Sequence, residues 1–185
     1  MNTSSTTRKL TTMGLLCAIS IILVWLIHFP IFPTTAFLEY DPADIPIIFA
    51  TFLYGPLSGF ILTVITALIQ GVTVSAQSGP YGIIMHIIAT GCYVIIAGLI
   101  HYRWKSLKGM TLSLVAGTLC TAAVMGVANI FITPLFMSVP TQAVIDLLLP
   151  FIVPFNLIKM AVNSVLAAVL YKTLEKTPLF THPVA

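Results

Sequence analysis

From its first residues the chain alternates long apolar runs with short polar breaks. One run covers about Leu10 to His28 and gives way to "FPIFPTTAFLEYDPAD", whose three prolines stop a helix. The segment "IPIIFATFLY" follows and ends at the tight-turn signal Gly55-Pro56. Further runs extend from about Leu57 to Val74, Ile83 to His101 and Met110 to Met137. The last begins near Thr141, is interrupted by Pro150 and Pro154, and continues to about Leu174. The apolar stretches are long, with few Gly/Pro breaks, instead of alternating in short segments, which predicts helices and argues against a β-barrel. The pattern predicts six transmembrane helices, the second shorter than the roughly 20 residues a span requires. No repeat or linker divides the sequence, so residues 1–185 are expected to form one six-helix domain.

Composition turns that pattern into a membrane assignment. Of the 185 residues, 58% are hydrophobic and 7% charged, with a mean hydropathy of +1.07. A soluble domain carries about a quarter charged residues, so this chain lacks the polar surface to cover itself in water. The predicted class is an all-α integral membrane protein. The run after "MNTSSTTRKL" is long enough to span and has no convincing small-x-small cleavage site, so it reads as a retained helix. Cys17, Cys92 and Cys120 lie within apolar runs without ligand partners and read as small buried hydrophobes.

The charges orient the model. Arg8 and Lys9 precede the first helix; Arg103, Lys105 and Lys108 fill the fourth connection; Lys172 and Lys176 follow the sixth helix. Six spans put all seven on one face, which the positive-inside rule makes cytoplasmic together with the N- and C-termini. Glu39, Asp41, Asp44 and Asp146 fall on the other face. Small clusters of this kind serve orientation and give no sign of nucleic-acid binding.

Lys159 stands apart from those clusters, inside "PFNLIKMAVNSVLAAVLY". Intramembrane ionisable residues usually face a bundle interior or a polar cavity, although a lysine can also snorkel to an interface. Asn156, Lys159 and Asn163 share one helix face by their spacing, and Asn129 is similarly embedded in the fifth helix. Together they favour a ligand pocket, with Asn163 a turn deeper and equally suited to helix–helix bonding. In "FLEYDPAD", Phe37 and Tyr40 can cover a pocket, Asp41 precedes a proline and suits a turn, and Asp44 reads as a helix N-cap. Gln70, Gln77, Tyr81 and His86 cluster around the other outer loop, where His86 alone could equally be a core histidine.

Catalysis finds no support: there is no HExxH, no GxSxG and no paired carboxylate within a span. No metal-ligating set and no cofactor motif stands out. Without a GxxxxGK[ST] loop the chain does not hydrolyse ATP itself. On the first helix, Thr11, Gly14 and Ala18 form a small-residue ridge suited to a partner helix or to packing within the bundle.

Taken together, short helix 2 ending in "FLYGPLSG", the "LEYDPADIP" loop and the terminal "PFNLIK" resemble the substrate-binding S components of energy-coupling factor (ECF) vitamin transporters, especially the riboflavin-type group. The resemblance covers nearly the whole chain. It implies a six-helix protein of the bacterial plasma membrane that binds a water-soluble vitamin near the outer face. It also implies partners: a transmembrane coupling protein (T component) and two cytoplasmic ATPases. By the same resemblance Asn129, Asn156 and Lys159 contact the ligand, with Phe37, Leu38, Glu39, Tyr40 and Asp41 of the outer loop lining the pocket. Gly14 and Ala18 stand where the family carries its ridge for the coupling protein. The chain departs from riboflavin binders at the end of helix 3, where "TALIQGVTVSAQSGPYG" replaces a Lys-Asn pair. Pyridoxine, a hydroxymethylpyrimidine or pantothenate therefore stay open as ligands, and a stand-alone carrier or channel as a further alternative.

Overall fold

The computed structural model describes residues 3–174, so Lys176, the last of the basic cluster residues, lies outside the described part. Six helices are present among the described residues. α1 spans Thr3–Leu26, α2 Asp44–Tyr54, α3 Pro56–Val72, α4 Gly79–Arg103 and α5 Leu107–Met137. α6 is one rod from Thr141 to Leu174, built of Thr141–Leu147, a π-helical segment Leu148–Ile152, and Val153–Leu174.

The expected interruption at Pro150 and Pro154 is therefore corrected. A proline removes one amide donor and crowds the preceding turn, and the π segment absorbs both without ending the helix. Val153 N–H reaches back to Leu148 O, the wider spacing that a π-bulge provides. Three helix starts also lie earlier than expected: α1 begins at Thr3, so Arg8 and Lys9 are helical, α4 takes in Gly79 to Gly82, and α5 begins at Leu107. There Ser106 caps the helix, its Oγ accepting from Gly109 N at 3.1 Å.

Four helical stretches are long and apolar enough to cross a membrane: Thr6–Leu26, Ala76–Arg103, Leu107–Met137 and Thr141–Leu174. α2 is not. Its 11 residues reach about 16 Å at 1.5 Å per residue, against a hydrocarbon core of about 30 Å. It packs inside the bundle, with Ile47, Ile48, Phe49, Ala50 and Phe52 buried in one core with Tyr93, Val94 and Ala97 of α4, which explains its unbroken apolar sequence. At Gly98 the α2–α3 corner approaches α4 so closely that an added Cβ would lie 2.7 Å from Thr51 Cγ2 and 3.0 Å from Pro56 Cα.

The two ends of the bundle differ. At one end Lys9 lies over the Tyr54 ring, and His101 packs against Phe52 and Tyr171, so the start of α1 meets the ends of α2, α4 and α6. Lys172, Arg103 at the end of α4, Lys105 in the connection and Lys108 at the start of α5 fall at this basic end. At the opposite end the α1–α2 connection folds into a two-stranded antiparallel pair, Phe29–Pro30 with Glu39–Tyr40, in the register Phe29 to Tyr40 and Pro30 to Glu39. Among the described residues this small sheet is the one addition to a helical fold. Of the cysteines only Cys17 is buried; Cys120 faces outward, a correction to its expected burial.

Candidate ligand-binding site

At the end opposite the basic cluster the helices enclose a cavity of about 200 Å³. Three sets of residues wall it. The connection before α2 gives Phe37, Leu38, Glu39 and Asp41; α3, α4 and the loop between them give Gln70, Ser75, Ser78, Tyr81, His86 and Thr90. α5 and α6 supply Met125, Asn129, Thr133, Phe136, Phe155, Asn156, Lys159 and Met160. Aromatic and thioether surface beside a few polar groups is the usual make-up of a small-molecule site.

Nine of the ten residues expected at the ligand line this cavity: Asn129, Asn156, Lys159, Phe37, Leu38, Glu39, Asp41, Gln70 and His86. The tenth, Tyr40, stands behind the wall. It is buried, its ring lies 5.4 Å from that of Phe29, and its hydroxyl donates to Asn163 Oδ1 at 3.0 Å. Burial pushes its phenol above the usual value, and the neighbouring Asp41 charge adds to the rise. Gln77 is exposed and does not line the cavity.

Local structure fixes the polar groups. Asp41 Oδ1 accepts from Ala43 N at 3.0 Å, the turn its sequence position suggests, while its Oδ2 accepts from Lys159 Nζ at 2.7 Å. The two side chains are 15% and 17% exposed, so the pair is largely shielded from solvent. Asn129 and Asn156 each donate Nδ2 to the carbonyl one turn back, Met125 O at 2.7 Å and Ile152 O at 2.8 Å. Those bonds hold both side chains against their helices; Thr133 Oγ1 donates to Asn129 Oδ1 at 2.8 Å. Gln70 is 4% exposed, yet its Nε2 has no hydrogen-bond partner among the described residues. A buried, unsatisfied donor costs free energy unless something accepts from it, so Gln70 is suited to a ligand acceptor.

Asp44 corrects the sequence reading. It lies in the first turn of α2, but the capping position is Ala43 and no side chain caps the helix. Instead the Asp44 carboxylate is 1% exposed and accepts from Thr90 Oγ1 at 2.6 Å and Asn163 Nδ2 at 3.2 Å. Asn163 also donates to Asp41 O at 3.1 Å. It is thus the centre of a polar knot joining α2, α6 and the outer connection, beyond simple pairing of two helices. Thr90 was missed although a signal existed: it follows His86 by one helical turn and shares its face.

The family model for the substrate-specific component of ECF transporters matches residues 8–171. The chain belongs to that family. Among curated proteins, this S component is 28% identical over 173 residues to the riboflavin transporter RibU of Staphylococcus aureus (strain TCH60), covering 90% of each chain. It is 27% identical over 176 residues to the riboflavin transporter FmnP of Bacillus subtilis (strain 168), covering 91% of this chain and 92% of that one. A solved structure of the S component of a bacterial ECF transporter superposes with a TM-score of 0.80 at 27% identity, covering 91% of this chain and 96% of the other. The S component is accordingly a membrane protein and a transporter subunit, not an enzyme.

Proposed function

We propose that this S component captures riboflavin at the outer face of the membrane. The observation that carries the reading is the convergence of Lys159, Asn156, Asn129 and the Phe37–Asp41 connection on one cavity. Membership of the S-component family and two relatives named as riboflavin transporters supply the ligand. The relatives do not favour pyridoxine, a hydroxymethylpyrimidine or pantothenate. A carboxylate-bearing vitamin gains little here, because Lys159 is already engaged by Asp41.

The topology follows from the same reading. The chain forms a single domain with six membrane crossings and both termini in the cytoplasm, the basic end lying inside and the cavity at the outer surface. ATP is hydrolysed by two cytoplasmic ATPases, linked to this subunit through a transmembrane coupling protein. α1 supports the docking role, since Thr11, Gly14 and Ala18 face outward and nothing lies within 4 Å of a Cβ built on Gly14. Flavin uptake by cells expressing the chain with and without a coupling module and its ATPases tests the assignment. Uptake only with the module supports it, and uptake by the chain alone would make it a self-sufficient carrier.

A further inference from the structure

Asp44 lies behind the α4 wall of the cavity, at the head of α2, and does not line the cavity itself. A carboxylate buried there must be held by donors, because an unpaired buried charge is expensive. Thr90 and Asn163 supply two. The third group facing it is His86, whose Nε2 lies 3.4 Å from the same Oδ1 that Thr90 bonds. This Nε2 is buried and meets the hydrogen-bond geometry of no acceptor among the described residues, Asp44 Oδ1 at 3.4 Å being the carboxylate oxygen it faces, whereas the side chain as a whole keeps 19% exposure and lines the cavity. The nitrogen is thus turned inward to the carboxylate and the rest of the ring toward the cavity. Which nitrogen of an imidazole can meet a ligand is set by the bond that the other one makes.

We propose that Asp44 is a positioning residue: it holds a protonated Nε2 of His86, so that Nδ1 is the ring nitrogen offered to the ligand. The arrangement parallels the outer-shell carboxylates that fix ligand-binding histidines in metal sites, here applied to an organic ligand. One carboxylate grips His86 and Thr90 on successive turns of α4 and Asn163 on α6, so it sets the ring and the spacing of two cavity walls together. An asparagine in its place could not accept from all three donors, because its amide nitrogen meets a donor with a donor. The identity of the ligand rests on the riboflavin reading above, but the arrangement of Asp44 and His86 does not.

The first test is nitrogen NMR on the ligand-free, full-length protein with labelled histidine, His86 being assigned by the loss of its signal in His86→Gln. A proton on Nε2 is expected; a bare Nε2 with the proton on Nδ1 alone would overturn the proposal. The second test is a riboflavin titration of Asp44→Asn, His86→Gln and the double variant. Each single change is expected to weaken binding about tenfold, and the double variant to bind no more weakly than the weaker single, the mark of two residues acting as a unit. Additive losses, or Asp44→Asn binding as tightly as the parent chain, would overturn it. If Asp44→Asn fails to fold, the tautomer in the parent protein decides. Failure of the parent to bind riboflavin would sink the ligand assignment and leave the tautomer measurement to judge this proposal.

Discussion

Lys159 Nζ donates to Asp41 Oδ2 at 2.7 Å, joining α6 to the outer connection across 118 residues of chain. The pair lies in the cavity wall, so a ligand meets a neutralised lysine with further hydrogen-bonding capacity and not a free cation. It also ties down the segment that roofs the cavity, from Phe37 to Asp41.

Replacing Lys159 with alanine removes a charged donor from the wall and leaves Asp41 without its cation. Hydrogen bonds to charged groups contribute about 1.5–3 kcal/mol, so riboflavin affinity should fall by roughly 10- to 100-fold. Calorimetry beside thermal unfolding separates the two effects. A variant that loses stability but keeps its affinity would make Lys159 a structural clamp only.

Charge also predicts selectivity. Lys159 is the one lysine or arginine among the residues lining the cavity, against Glu39 and Asp41, with Asp44 behind the wall. One negative charge about 8 Å from a carboxylate costs roughly 2 kcal/mol at an effective dielectric constant of about 20. The phosphorylated flavin should therefore bind at least roughly 30-fold more weakly than riboflavin, as competition titrations would show. Equal affinity would place the phosphate away from these carboxylates.

Much of this site was legible because the residues that form it are costly in apolar sequence. Lys159, Asn156 and Asn129 stand out against hydrocarbon, and "LEYDPADIP" marks a polar connection beside them. Asp44 was misread because a carboxylate one residue before Ile-Pro is a good capping signal, and only tertiary packing delivers Thr90 and Asn163 to it. Tyr40 is placed at the ligand by the family resemblance of its loop, whereas in the fold its ring meets Phe29 and its hydroxyl Asn163, contacts that only tertiary packing delivers. The prolines of α6 were read as breaks since their cost is local, while the π segment that relieves it depends on the surrounding helix. That α2 falls short of a full span is legible in its length alone.

Gly98 tests the packing of that buried helix. A methyl group there would meet Pro56 Cβ at 2.8 Å as well as Pro56 Cα, which cannot yield without moving the α2–α3 corner. Gly98→Ala should destabilise the bundle by about 1–3 kcal/mol, seen as a lowered unfolding temperature in detergent. Gly98 does not line the cavity, so the folded fraction should keep its riboflavin affinity.

The ridge on α1 predicts a different separation. Ala18 is exposed on the outer face of α1, and a leucine there would hold a partner helix away. Ala18→Leu should leave riboflavin binding by the isolated subunit unchanged and reduce uptake with the coupling module by about tenfold or more. Reduced binding in detergent would instead place Ala18 in the packing of the subunit.

This chain alone is expected to form a riboflavin site. Purification in mild detergent followed by calorimetric titration with riboflavin tests it most directly. One saturable site per chain is expected, with a yellow preparation when cells are grown with the vitamin. A colourless protein that gives no heat with riboflavin, while remaining folded by thermal unfolding, would contradict it.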